Sequence, residues 1–298
     1  MSLFRCHNWL KNCLLFTPLL FSPFPYTLQD LNFSQVIIIF FSFSLLTSSV
    51  YIFNDLIDIQ NDQAHPIKKD RLFASGAISL SNGWLLLLIL LFVTFIICIQ
   101  TSTEIMLIHT LYFAMNILYS LQIKKIIYLD LILLSFFYIL RIYLGIIVFQ
   151  LNIPVHHLIY FFIFFINLAA IKRIAEFRSL RLMYKFQKIP GRGYSEKSIM
   201  RITTVSVFIT TVIFPLIAYS FYDVQISKLS WGIRGLYVVL NIIICFWFLS
   251  LLHDSREGRL KEDLIKVILF DTRGGYYIFC LYLFIRGGIY CDIGKFLE

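Results

Sequence analysis

Long apolar runs alternate with short charged stretches along the whole chain, and the runs are too long and too regular to be faces of a soluble core. Nine can be read, at about 13–26, 35–53, 83–99, 104–121, 127–149, 157–171, 203–221, 232–252 and 274–290. A helix crossing the hydrocarbon core of a bilayer takes roughly 20 apolar residues. The runs lack strand alternation, and backbone amides in lipid must be satisfied within each segment, so the pattern predicts spanning helices rather than barrel strands. The expected fold is an all-α integral membrane protein of about nine transmembrane helices, forming one domain over residues 1–298.

Composition sharpens this in one respect. With 59% hydrophobic and only 14% charged residues and a mean hydropathy of +0.80, no stretch is left over for a separate soluble domain. Arg5 and Lys11 precede the first run, and no small-residue cleavage site follows "FTPLLFSPFP", so that run is expected to remain as a span. Six scattered cysteines without a C-x-x-C pair read as packing residues rather than metal ligands.

Charge orients the chain. Of the 26 Lys and Arg residues, 21 fall before the first run or in alternate connections, which predicts a cytoplasmic N-terminus and cytoplasmic connections at 54–82, 172–202 and 253–273 in a cell inner or plasma membrane. The net charge of +9 is thus gathered on one face, against lipid headgroups or a phosphorylated substrate, and calls for no nucleic-acid partner.

The chemistry is expected on those three connections. In "NDLIDIQND", Asp55, Asp58 and Asp62 are three and four residues apart, within roughly 60° of arc on a continued helix. Crowded carboxylates at a helix C-terminus repel one another and the helix dipole unless a cation compensates. Oxygen donors with room for water and phosphate suit Mg²⁺, and Asn54 and Asn61 add further oxygens. Downstream, "HPIKKDRLFASG" turns at Pro66 and presents Lys68, Lys69 and Arg71 to the same place. His65 reads as a turn hydrogen bond at least as readily as a proton carrier.

These two segments resemble the first aspartate motif of the UbiA superfamily of intramembrane prenyltransferases, N-D-x-x-D-x-x-x-D, and its following H-P-x-K-x-x-R-x-x-A-S-G stretch. The resemblance implies a UbiA-like bundle with Mg²⁺ and a diphosphate at Asp55, Asp58 and Asp62, beside Asn54. Members that prenylate aromatic rings carry a second aspartate motif after the sixth span. Here that stretch, "IKRIAEFRSLRLMYKFQKIPGRGYSEKSIMR", has nine cations, two acids and no aspartate. Together with "RCHNWLKNCLLFTPLL", "YLDLILLSFFYILRIYLG", "KRIAE" and "LLHDSREGRLKEDLIKVILFDTR", it resembles the decaprenyl-phosphate phosphoribosyltransferases. That resemblance implies transfer of 5-phosphoribose from phosphoribosyl diphosphate to a polyprenyl phosphate.

On this reading Lys68 and Arg71 assist the departing diphosphate, while Lys172 and Arg173 hold a phosphate oxyanion with Glu176 one helical turn on. Lys11 and Asn12, in a W-x-K-N segment, are candidate phosphate contacts or interfacial anchors. Asn116, Tyr119 and Lys124 close the fourth run in a pattern the family shares, and Asp271 with Arg273 in "FDTR" are candidates to close the site. Arg141, halfway along a run, is expected to face a protein interior as a structural cation. Asp130 lies eleven residues earlier on nearly the same face, about 16 Å away, too far for a direct pair. Two rival functions stay open: an aromatic prenyltransferase using a polyprenyl diphosphate and an acceptor such as 4-hydroxybenzoate, and a non-enzymatic lipid-binding or carrier protein.

Overall fold

Helix starts follow the capping residues in the sequence. In this computed structural model, which describes residues 4–21, 32–66, 68–151, 153, 155–185, 188–189, 191–213, 215–216 and 231–260, helix α1 runs Phe33–Ile57 and opens at Asn32, whose side chain accepts the Gln35 amide at 3.3 Å. Ser79 caps α3 (Leu80–Ile99) and Ser102 caps α4 (Thr103–Leu121) in the same way. The remaining helices are α2 (Ile59–Gln63), α5 (Ile127–Val148), α6 (Val155–Tyr184), α7 (Glu196–Phe208) and α8 (Trp231–Arg256). Cys6–Phe21 forms a 3₁₀ helix ahead of them. Among the described residues, extended pairing is limited to one isolated bridge, Lys188 with Ser195.

Six of these helices are long and apolar enough to cross a membrane: Phe33–Ile57, Leu80–Ile99, Thr103–Leu121, Ile127–Val148, His157–Tyr184 and Val238–Arg256. Each contains most of one predicted run, and the protein is an integral membrane protein. The run at 203–221 starts in α7 and a π-type turn, Ile209–Ile213. Part of that run, the end of the first and all of 274–290 lie outside the described residues, so the expected nine spans are matched for six.

Two predicted boundaries differ. The sixth run was expected to end at 171, yet α6 continues through Tyr184, so Lys172, Arg173 and Glu176 lie on a helix and not in a loop. Hydropathy marks where a helix leaves lipid, whereas the helix itself continues as long as its polar side chains find partners. Conversely, α1 does not carry all three aspartates on one continuous face. It ends at Ile57, Asp58 stands at φ −91° and ψ 10°, and the chain resumes as α2.

The chain divides into two compact units, Met1–Thr17 with Asp30–Asn152 and Pro190–Gly193, and Pro18–Gln29 with Ile153–Ile189 and Tyr194–Glu298. In the first, α1 packs most extensively on α3. Ile52, Leu56, Leu87 and Leu90 form that core, and Phe73 from the turn after α2 inserts into it at 4% exposure. A buried stripe of hydroxyls on α1 receives the N-terminal segment: Asn12 Nδ2 donates to Ser44 (3.0 Å) and Thr47 (3.2 Å), Trp9 Nε1 to Ser48 (2.9 Å), and Ser48 Oγ donates to the Phe4 carbonyl (2.9 Å). Polar side chains within lipid-buried helices bond across helices in this way because water is not there to compete.

Arg141 is the structural cation of this unit. Its Nε donates to Asn12 Oδ1 at 3.0 Å, Nη1 to the Phe137 carbonyl at 2.6 Å and Nη2 to the Tyr112 hydroxyl at 2.8 Å. The rings of Phe43, Tyr112 and Tyr138 stand 5.1–5.8 Å from its guanidinium carbon, supplying cation–π attraction around a buried charge.

In the second unit α6 packs against α7 and α8. Phe164 stacks on Trp247 and meets Phe248 edge-on at 5.1 Å. Asn167 donates to Thr210 (2.6 Å) and accepts from Ser206, a polar link between α6 and the α7 region.

Candidate active site

Asp55, Asp58 and Asp62 gather at the end of α1 and through α2, and each is met by a cation from elsewhere in the first unit. Arg5 Nη2 contacts both oxygens of Asp55, at 2.7 and 2.5 Å. Arg71 Nη1 donates to Asp55 Oδ1 at 3.0 Å and to Asp62 Oδ2 at 2.7 Å. Lys124 Nζ pairs with Asp58 Oδ1, which also accepts from Asn61 Nδ2 at 3.3 Å. The carboxylates expected to repel are interleaved with ammonium and guanidinium groups.

Local structure explains why these cations arrive. Phe73 anchors the turn after α2 in the α1–α3 core, and Gln63 Nε2 donates to the Ala74 carbonyl at 3.1 Å, so Arg71 is held over the acids. Buried His65 accepts the Lys68 amide on Nδ1 at 3.3 Å, a turn bond of the kind its position before Pro66 suggested. Burial pushes the Asp62 carboxyl above its ordinary range, and the adjacent Arg71, with the charge of Lys68 behind it, pulls it back part of the way.

The other predicted residues separate into groups. Asn54 Oδ1 accepts from Ser120 Oγ, which also donates to the Asn116 carbonyl at 2.8 Å, so Asn54 and Asn116 belong to the support of the acidic rim. Asn116 Nδ2 itself donates to the Tyr112 carbonyl at 2.7 Å. Tyr119 donates to Asp130 Oδ1 at 2.6 Å rather than facing the three aspartates. Asn12 is committed to Ser44, Thr47 and Arg141, which makes it a tie for the N-terminal segment and not a phosphate contact, while Lys11 is half-buried on that segment. Lys172, Arg173 and Glu176 belong to the second unit, where buried Arg173 donates to Glu176 Oε2 at 2.8 Å and lies 5.9 Å over the Tyr194 ring. Asp271 and Arg273 lie outside the described residues.

Sequence reasoning missed Arg5 and Arg192 as site residues. Arg192 Nη1 donates to Asp130 Oδ1 at 2.9 Å and to the Tyr119 hydroxyl at 3.1 Å, and Asp130 is fully buried. Its one signal was the pair of glycines in "GRG". Arg5 gave none, since the contact spans fifty residues of chain.

The donor set can be tested against Mg²⁺. Among the described residues no three acidic, His or Cys side chains converge as a closed metal cage. Mg²⁺ does not require one, because it takes one or two carboxylates and fills its octahedron with phosphate and water. Asp55 and Asp62 aim oxygens at a single guanidinium nitrogen, so a cation already stands between them. Both bonds of Asp58 fall on Oδ1. This set fits a divalent ion shared with an anionic substrate.

The fold and rim define a helical membrane protein with an acidic, cation-bordered site at the end of its first long helix. A family model described as the UbiA prenyltransferase family matches residues 15–181, more than half of the chain, and the chain belongs to that family of transferases. Nodulation protein NoeC of Azorhizobium caulinodans is 28% identical over 291 residues, covering 96% of this chain and 92% of that protein. Decaprenyl-phosphate phosphoribosyltransferase of Mycolicibacterium smegmatis is 28% identical over 144 residues, 47% of this chain and 45% of that protein. A UbiA homologue from Archaeoglobus fulgidus, solved with GPP and Mg²⁺, shares the fold with a TM-score of 0.55 at 17% identity, over 86% of this chain and 98% of that one.

Proposed function

We propose that this protein transfers 5-phosphoribose from phosphoribosyl diphosphate to a polyprenyl phosphate and releases diphosphate. The observation that carries the reading is an asymmetry of charge. All three candidate metal-binding aspartates lie between residues 55 and 62, whereas 172–201 supplies nine cations and no aspartate. One metal-bound diphosphate needs one acidic site, and the acceptor's monophosphate needs only cations. The M. smegmatis relative, named for phosphoribosyl transfer to decaprenyl phosphate, supports the donor, and the A. fulgidus structure with Mg²⁺ and a prenyl diphosphate supports the metal.

Asp55, Asp58 and Asp62 would hold Mg²⁺, which supplies charge neutralisation of the leaving diphosphate. Arg71 and Arg5 border the same carboxylates and donate to diphosphate oxygens that enter beside them. The bond from the ribose anomeric carbon to diphosphate breaks with its electron pair leaving on the diphosphate, and an anionic oxygen of the lipid phosphate forms the new bond from the opposite face. That oxygen is already deprotonated near neutral pH, so the chain need supply no strong general base. Arg173, kept in place by Glu176 and the Tyr194 ring, and Lys172 beside it bind a phosphate oxyanion. The N-terminus and the connections at 54–82, 172–202 and 253–273 face the cytoplasm on this reading, following the Lys and Arg bias of the sequence.

A prenyl diphosphate donor is the second reading, favoured by GPP in the A. fulgidus homologue. Offering purified protein both donor and acceptor pairs in one vessel tests the choice. The proposal expects consumption of phosphoribosyl diphosphate with the prenyl diphosphate and 4-hydroxybenzoate left intact, and the reverse outcome gives the site to prenyl transfer.

A further inference from the structure

Residues Gly191, Arg192 and Gly193 belong with the first unit although the chain on either side belongs with the second. Their backbone is made for close approach. Gly191 adopts φ +72°, a left-handed conformation that a side chain would strain, and a Cβ there would stand 3.1 Å from Asn61 Cγ. A Cβ on Gly193 would run into the backbone carbonyl oxygen of Lys125. Arg192 between them reaches into the unit to the fully buried Asp130 and the Tyr119 hydroxyl. Breaking an ion pair to a buried carboxylate is costly, so the 2.9 Å contact of Arg192 with Asp130 holds the turn in its seat.

The seat matters because of what lies beneath it. Asn61, against Gly191, donates to Asp58 Oδ1. Lys125, against Gly193, directly follows Lys124, the other donor to the same oxygen. We propose that Arg192 is a positioning residue for Asp58: its ion pair with Asp130 clamps the Gly191–Gly193 turn onto Asn61 and Lys125, and thereby fixes the two donors that orient the Asp58 carboxylate toward Mg²⁺ and diphosphate. The inference rests on Asp58 being a metal and diphosphate ligand, as read above. It holds whether the substrate is phosphoribosyl diphosphate or a prenyl diphosphate.

Groups that orient a metal ligand change metal affinity without touching the metal, typically by 10- to 100-fold. The test compares wild type with Arg192→Ala, Arg192→Lys and Gly193→Ala by two readouts. One is the Mg²⁺ concentration that half-saturates turnover with whichever donor the wild type accepts. The other, free of turnover, is the Mg²⁺ concentration that half-saturates the detergent Tm shift in the presence of inorganic diphosphate. Arg192→Ala and Gly193→Ala should raise both by roughly 10-fold or more, and Arg192→Lys should recover most of the loss because it retains the charge facing Asp130. If Arg192→Ala does not fold, Gly193→Ala carries the comparison. Half-saturation that stays within about twofold of wild type, whatever happens to the apo Tm, makes Arg192 a merely structural residue and overturns the proposal. A wild type that uses a prenyl diphosphate refutes the donor reading instead, and the Arg192 shift is then measured on that donor.

Discussion

Arg5 grips both oxygens of Asp55, with Nη2 at 2.7 and 2.5 Å, so the first segment of the chain closes one side of the acidic rim. The segment is held in that position by Asn12, Trp9 and the Phe4 carbonyl against the hydroxyl stripe of α1. Arg5→Ala removes a charge-assisted pair beside the proposed diphosphate site, an effect of about 1.5–3 kcal/mol, and is expected to lower kcat/KM for the donor by one to two orders of magnitude. Arg5→Lys, a point charge without the guanidinium fork, recovers part of it. Steady-state kinetics against donor concentration check this, and unchanged kcat/KM in Arg5→Ala would remove Arg5 from the site.

The aspartates separate by their partners. Asp55→Asn is expected to abolish turnover and to lower the Tm, because Arg5 and Arg71 lose the carboxylate they share. Asp58→Asn is expected to abolish turnover with a smaller change in Tm, since the Asp58 side chain is more exposed than that of Asp55 and its cation partner among the described residues is Lys124. From spacing alone the removal of a carboxylate would relieve repulsion and raise the Tm. The interleaved cations reverse that sign. Detergent Tm and turnover on the same preparations decide it, and full turnover in Asp58→Asn would remove that carboxylate from the catalytic site.

How much of this was legible follows from the range of each interaction. The apolar runs and the acid–base order of residues 54–71 are local patterns, and they led to the membrane fold and to the aspartates together with Arg71. The Arg5–Asp55 and Arg192–Asp130 contacts join residues separated by fifty and sixty-two positions, and no local period marks either partner. The break at Asp58 was hidden for a different reason. Three- and four-residue spacing fits one continuous helix, and the ion pairs of Arg71 and Lys124 that accompany the interrupted form come from outside that local pattern.

Arg141 should act on stability rather than on metal use. Its three hydrogen bonds and surrounding rings tie Asn12, Phe137 and Tyr112 together inside the bundle. Arg141→Ala takes from Asn12 Oδ1 and the Tyr112 hydroxyl the donor each faces, removes the cation–π contacts, and is expected to cost about 2–4 kcal/mol, read as a marked drop in Tm. Asn12→Ala should cost less, and the double variant should fall short of the sum because the two share one bond. Additive losses would contradict the shared network.

Topology has a direct check. Reporters fused at the N-terminus and near residues 68, 185 and 260 should all register as cytoplasmic, following the bias of 21 of 26 cations. A signal from the opposite side at 185 would separate Lys172 and Arg173 from the acidic rim across the bilayer, and the proposed division of labour between them would fail.

A label on the ribose reports which group is transferred. Membranes containing the protein, supplied with Mg²⁺, a polyprenyl phosphate and ribose-labelled phosphoribosyl diphosphate, should move label into an organic-extractable lipid and release one diphosphate for each label transferred. EDTA should stop the transfer, and membranes carrying Asp58→Asn should show none. Label that remains in the aqueous phase, while a prenyl diphosphate and 4-hydroxybenzoate yield a prenylated product in the same membranes, would contradict the account.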